Sequence, residues 1–255
     1  MSKYVITIDV GNTNTSALVI DSTNKEIKIR KNYKTDELKK STLCKDFLDF
    51  NDKFVPLGAL ISSVVPKATK VIASSLEEDD IKYCIIDPCK YENLLKLDVI
   101  GKAELGCDIF CGCIASASIC KSSITIDMGT AITLALVSDN TLLACAIYPG
   151  IEVSFNALFN DTALLSKVSV DEPKHLINGD TTDAIQTGMV YGTLGALKEM
   201  INEYKKVVSD ARIIFTGGAS RLFVKYFEGC IYERDLIHLG LVDIYLRRNG
   251  NIVWN

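Results

Sequence analysis

Residues 6–21 read ITIDVGNTNTSALVID, and residues 124–139 read ITIDMGTAITLALVSD. Laid against each other without a gap, the two stretches agree at ten of sixteen positions, with Asp9 over Asp127 and Gly11 over Gly129. Each has an apolar run ending in Ile-Asp, a turn of Gly and small polar residues, and a second β-rich run. That is the pattern of a hairpin. A match of this length, with Asp and Gly in register, marks a duplicated unit rather than two similar strands.

The flanking sequence repeats the same plan. Val55–Val65 reads as a buried strand running into Pro66, residues 67–78 as a helix, and Tyr83–Asp87 as another strand. In the second half Thr182–Val208 has helical periodicity, with Ile185, Met189, Leu194, Leu197 and Ile201 on one face. Ala211–Phe215 is then a strand leading into Thr216-Gly217-Gly218, and Ala219–Tyr226 opens a helix. A βββαβ alternation occurring twice predicts an α/β fold with two mixed sheets, divided into residues 1–120 and 121–255. The cleft between two such halves is the expected ligand site.

Composition narrows the function classes. The chain has 255 residues, 48% of them hydrophobic, enough for two small cores. A formal net charge of -4 argues against nucleic acid or an anionic membrane as the main partner. No apolar run reaches the roughly 20 residues that a membrane span needs. The opening Met1-Ser2-Lys3-Tyr4 passes into a strand-like run with no basic-then-apolar leader, so a soluble, cytoplasmic protein is expected. Nine cysteines, scattered through apolar stretches, fit buried thiols in a reducing compartment. The spacing of Cys107, Cys111 and Cys113 is not that of a zinc ribbon; packing near a helix start is the favoured reading and a metal site the alternative.

The turn Asp9-Val10-Gly11-Asn12-Thr13-Asn14-Thr15 suits a phosphate. A strand-end carboxylate is a hard ligand for Mg²⁺, Gly11 lets backbone come close, and Asn12, Thr13 and Thr15 add neutral donors. One copy alone reads equally as an ordinary turn. Asp127-Met128-Gly129-Thr130 supplies a second carboxylate and hydroxyl turn, and Gly217-Gly218 removes side chains where a base or ribose could lie. The chain has neither a GxxxxGK[ST] loop nor a GxGxxG.

Facing Asp–Gly–Thr hairpins characterise the acetate/sugar kinase, heat-shock ATPase and actin superfamily, which this chain resembles. The implied fold is a pair of ribonuclease H-like, actin-like ATPase domains. Within the superfamily it is similar to the type III pantothenate kinases. The motifs are DVGNT (Asp9–Thr13), ISSVVP (Ile61–Pro66), ELGCD (Glu104–Asp108), DMGTA (Asp127–Ala131), IYPG (Ile147–Gly150), GDTTDAIQTG (Gly179–Gly188) and TGG (Thr216–Gly218).

The resemblance implies transfer of the ATP γ-phosphoryl group to pantothenate, toward coenzyme A, in a homodimer. Asp9 would hold the Mg²⁺–phosphate unit, with Gly11, Asn12, Thr13, Asn14 and Thr130 about the phosphates and Gly217 and Gly218 at the nucleotide. Asp108 would be the base, with an ordinary carboxylate pKa. Asp127 would serve a monovalent cation, K⁺ or NH₄⁺. Val99, Gly106, Asp108, Ile109 and Thr181 would line the acceptor pocket, Thr181 from a partner subunit.

The acceptor half departs from the family. An Arg usually follows the catalytic Asp, and Ile109 stands there, forfeiting a charge-assisted contact of about 1.5–3 kcal/mol. A Tyr-x-x-Pro segment is replaced at Val99 and Lys102, and Ala144-Cys145 stands for Gly-Gly. Lys102 is a candidate replacement charge. Beside a pantothenate kinase, these departures leave open a nucleotide-binding paralogue without catalysis, in a regulatory or accessory role, or a kinase for another small alcohol.

Overall fold

The computed structural model describes residues 3–38, 55–160, 168–177, 179–248 and 251–255. Met1 and Ser2, the start of the segment read for a leader, lie outside them. Tyr4–Val10 and Asn14–Asp21, buried along nearly their whole length, are β1 and β2 of the first hairpin, and Ile27–Lys34 adds β3. Pro56–Ser63 is β4, Pro66–Glu78 is helix α1, Tyr83–Ile85 is β5, and Lys96–Leu97 forms a short β6. Pro66 at the first helical position starts α1 without needing a donor. The strands run β3-β2-β1-β4-β5, with β1 antiparallel to β2 and parallel to β4. Helix α2 (Cys107–Ile119) follows.

The second half has β7 (Ser122–Met128), β8 (Ala131–Ser138), β9 (Thr141–Pro149), α3 (Ile151–Asn160) and α4 (Thr181–Val207). Asp180 caps α4 by accepting from the Asp183 amide at 2.9 Å. Then come β10 (Arg212–Thr216), the one-turn α5 (Ser220–Phe223), β11 (Ile231–Tyr232) and α6 (Leu236–Arg247). The order β9-β8-β7-β10-β11 repeats that of the first sheet. The expected α/β class with two mixed sheets is observed. The helix read over Ala219–Tyr226 is only one α turn and a 3₁₀ turn.

Two units form, Met1–Ile119 with Asp235–Asn255, and Cys120–Arg234. The expected division is residues 1–120 and 121–255; α6, from the second stretch, sits on the first sheet. Its Val242 packs with Val5, Leu18 and Ile20, and Gly240 lies so near Cys111 of α2 that a Cβ would come within 1.9 Å of its carbonyl oxygen. Arg30 of β3 donates two 2.6 Å bonds to Asp235 at the start of α6. The other face of the first sheet packs Ile6, Ile8, Val10, Ala17 and Val19 on Ile72 and Leu76 of α1. In the second unit Ile124, Ile126, Met128, Leu134 and Leu136 pack on Phe155 of α3 and Leu194, Leu197 and Ile201 of α4. Each such buried side chain contributes about 1.5–3 kcal/mol.

The ungapped match of the hairpins needs a correction. Asp9 pairs with Ser16, and Asp127 pairs with Thr133, so the second turn is one residue shorter. Gly11 N–H donates to the Asn14 carbonyl, whereas Gly129 N–H donates to the Ala131 carbonyl, both at 3.0 Å. Thr13 carbonyl accepts from Thr35 N–H at 3.1 Å, as Thr130 carbonyl does from Gly150 N–H at 3.2 Å. Thr13 is therefore the counterpart of Thr130, and Asn12 is the extra residue. A strand's side chains alternate in direction, so the letter identities along β2 and β8 join residues on opposite faces. The duplication stands on the shared strand order and on β1 against β7.

Candidate active site

In the first unit the site is built around the end of β1. Asp9 is half-buried, Gly11 less accessible than the exposed Asn12, Thr13 and Asn14 that follow it. A hydrogen-bonded chain braces the turn: Thr15 Oγ1 donates to Thr35 Oγ1 at 3.0 Å, and that hydroxyl donates to the Gly11 carbonyl at 2.7 Å. Thr15 is thus buried and committed, which removes it from the expected phosphate donors. Asn14 Oδ1 accepts from Lys34 Nζ of β3 at 3.0 Å.

Asp108 lies in the first turn of α2, where exposed amides favour a carboxylate, and Ile109 N–H donates to its Oδ1 at 2.8 Å. Burial nevertheless pushes its pKa above the ordinary carboxylate value, correcting the unperturbed value expected from sequence. Gly106 is needed there: a Cβ would sit 2.4 Å from Asp108 Oδ1. Cys111, one helical turn on, has its thiol pKa pushed up by burial, its neighbour Cys107 and the charges of Asp9 and Asp108. Asp9, at the end of β1, and Asp108, in the first turn of α2, both belong to the first unit. Cys107 and Cys111 stand Sγ to Sγ at 3.9 Å. Among the described residues no three His, Cys, Asp or Glu side chains are placed to hold a metal by themselves.

The acceptor residues fare less evenly. Val99 and Ile109 are half-buried. Lys102, the candidate replacement charge, donates from Nζ to Glu92 at 2.9 Å, and the pair is partly exposed.

In the second unit three turns converge. Gly217 has φ +86, and a Cβ on it would fall 2.4 Å from Asp127 Oδ1 and 2.7 Å from Met128 backbone. Gly150 presses on the other side, where a Cβ would be 2.2 Å from the Thr130 carbonyl oxygen. Ala219 N–H donates to the Met128 carbonyl at 3.2 Å. Asp127 is half-buried and Thr130 and Gly218 are exposed, so this unit presents a glycine-lined surface around one carboxylate. Thr181 is the exposed first residue of α4, and Asp183, two residues on, ties the preceding loop to the helix. Asp183 accepts from Lys174 N–H at 2.7 Å and lies 3.0 Å from His175 Nδ1. Burial pushes its pKa up, but these bonds hold it below the ordinary value.

The donor set fits a magnesium–phosphate group. Mg²⁺ is usually held by one or two carboxylates, with water and phosphate oxygens completing its shell, which matches Asp9 among neutral donors. The side-chain-free approaches at Gly217 and Gly218 suit a nucleotide.

Sequence reasoning missed the support of the Asp9 turn. His238 of α6 hydrogen-bonds Thr7 Oγ1 through Nδ1 (2.9 Å) and Ser16 Oγ through Nε2 (2.7 Å). Burial lowers its pKa to about 4, with Asp235 opposing and Arg30 adding to the shift. The ring is thus neutral, one nitrogen donating and the other accepting. Its only signal in the sequence was its rarity, as one of two histidines.

A family model described as type III pantothenate kinase matches residues 5–203. A curated relative of that name from Acholeplasma laidlawii is 32% identical over 249 residues, covering 94% of this chain and 98% of its own. Among solved structures, a protein described as a Baf family transcriptional activator from Campylobacter jejuni superposes with a TM-score of 0.63 at 21% identity, covering 97% of this chain and 100% of its own. One described as an N-acetylmannosamine kinase from Listeria monocytogenes gives 0.53 at 13%, covering 96% and 99%. At such identities the structures bear on the fold alone, which is that of the actin-like ATPases with two ribonuclease H-like units.

Proposed function

The chain belongs to the type III pantothenate kinase family, and from that premise we propose that it uses ATP to phosphorylate pantothenate, giving 4'-phosphopantothenate, the first step of coenzyme A biosynthesis. The observation that carries the reading is family membership together with the motif carboxylates of the first unit, Asp9 at the end of β1 and Asp108 in the first turn of α2. Asp108 accepts the proton of the acceptor hydroxyl. Its raised pKa makes it a better base than an exposed carboxylate. Asp9 offers carboxylate oxygens to a divalent ion, and Asn12, Thr13 and Thr130 give hydrogen bonds to phosphate oxygens. Mg²⁺, when bound, supplies charge neutralisation in a loose transition state. Gly217 and Gly218 let the nucleotide lie against backbone, and Asp127 serves a monovalent cation, K⁺ or NH₄⁺.

Homodimerisation is part of the proposal. Thr181 follows Leu176 and Ile177, which are 58% and 78% exposed, and a partner would cover them. Sedimentation is expected to show a dimer, and a fully active monomer would remove Thr181 from the acceptor pocket. A cytoplasmic location agrees with this metabolic step; among the described residues no helix is long and apolar enough to cross a membrane.

The test is ADP release by purified protein with ATP, Mg²⁺, K⁺ and pantothenate. Turnover dependent on pantothenate supports the reading. One observation favours a second reading, phosphorylation of a different small alcohol: Ile109 brings no charge, and Lys102 is paired with Glu92. Turnover with another alcohol but not pantothenate would select it. Nucleotide binding with no acceptor turned over would select the accessory role.

A further inference from the structure

Strand register places three side chains in one row. Asp9 of β1 pairs with Ser16 of β2 on one side and with Ser62 of β4 on the other. Residues paired across strands share a face of the sheet. The assignment is consistent with the packing, since Ala59 and Ile61, three and one residues before Ser62 and so opposite to it in the alternation, join the α1 core on the other face. Ser16 is already bonded to His238. Ser62 is 0% exposed and its hydroxyl has no hydrogen-bond partner.

The second unit has the same row. Asp127 lies between Thr133 of β8 and Thr216 of β10, again one antiparallel and one parallel neighbour. There the parallel-strand hydroxyl is committed, because Thr216 Oγ1 donates to the Arg234 carbonyl at 3.3 Å. Both units therefore flank their carboxylate with hydroxyls, and Ser62 is left with a donor to give. A buried hydroxyl without a partner is disfavoured, and an anionic acceptor stands one strand spacing away, about 4.8 Å.

We propose that Ser62 is a positioning residue for Asp9. Its hydroxyl turns to donate to the Asp9 oxygen on the β4 side when that carboxylate takes up the metal–phosphate unit. The other Asp9 oxygen is thereby held toward the metal. The inference rests on the reading of Asp9 as the metal–phosphate carboxylate.

The test compares Ser62→Ala with Ser123→Ala, since Ser123 is also buried with an unpartnered hydroxyl but lies outside this row. Affinity for Mn²⁺ in the presence of a non-hydrolysable ATP analogue is read by electron paramagnetic resonance, alongside the thermal midpoint. Ser62→Ala should weaken Mn²⁺ about tenfold without lowering the midpoint, while Ser123→Ala leaves both unchanged. Ser62→Cys leaves no cavity and has only a weak donor, and should show the same loss, which covers a poorly folded Ala variant. Asp9→Asn is measured in parallel. If it weakens Mn²⁺ and neither Ser62 variant does, the positioning role is wrong and the Asp9 reading stands. If Asp9→Asn has no effect, both are wrong. Equal losses in Ser62→Ala and Ser123→Ala would reduce Ser62 to a packing residue and overturn the role.

Discussion

The two hairpins share a first strand and part company at the turn. The first, with Asn12 inserted, is braced from beneath by the Thr15–Thr35–Gly11 chain and backed by His238. The second is a residue shorter and wedged between glycines, Gly150 and Gly217, whose neighbours leave no room for a Cβ. One turn is held by hydroxyls and an imidazole, the other by close backbone packing. The hydroxyls facing the same way differ too: Thr7 is bonded to His238, while Ser123 and Thr125 of β7 are buried without partners. Duplication preserved the strand order and the carboxylate, and each unit then found its own means of fixing the turn.

The largest expected effect tests the claim that the first unit carries the proton chemistry. Asp108→Asn should cut turnover by about 10²–10⁴-fold with nucleotide affinity nearly unchanged. Calorimetric titration and steady-state rates separate the two, and a variant at wild-type rate would remove Asp108 as the base.

Next is the imidazole brace. His238 titrates near pH 4 when folded against 6.5 when free, so the unfolded chain binds a proton first as pH falls. Stability contributed by the neutral ring is therefore whole above about pH 6.5 and lost progressively toward pH 4, about 3 kcal/mol in all. Urea unfolding across that range should show the decline, and His238→Gln should flatten it. Amide exchange at low pH should report opening of the first hairpin before the second; the reverse order would break the comparison.

A smaller effect separates the glycines. Gly217→Ala meets both a left-handed backbone and the Asp127 carboxylate, and should cost about 2–3 kcal/mol. Gly11→Ala brings a Cβ 3.1 Å from the Asn14 carbonyl oxygen at an ordinary φ, and should cost about 1 kcal/mol or less. Equal losses would mean that the two turns are held alike. The smallest effect is expected from deleting Asn12. The second hairpin closes the same strands with the shorter turn, so stability should change by less than about 1 kcal/mol. A collapse of the fold would show that the extra residue is structurally required.

The sequence by itself determined the α/β class with two mixed sheets, the βββαβ alternation in both halves and the carboxylates at the strand ends. These are local properties: apolar runs, helical periodicity and turn residues lie within a few positions of one another and can be read from the letters. It did not determine which face each β2 residue takes, since a single residue in a turn reverses every side chain after it. Nor could it send α6 back to the first sheet, put His238 against Thr7 and Ser16, pair Lys102 with Glu92, or raise the pKa of Asp108. Those depend on burial and on partners up to 231 positions away, which no local pattern encodes, and the tertiary structure alone decided them.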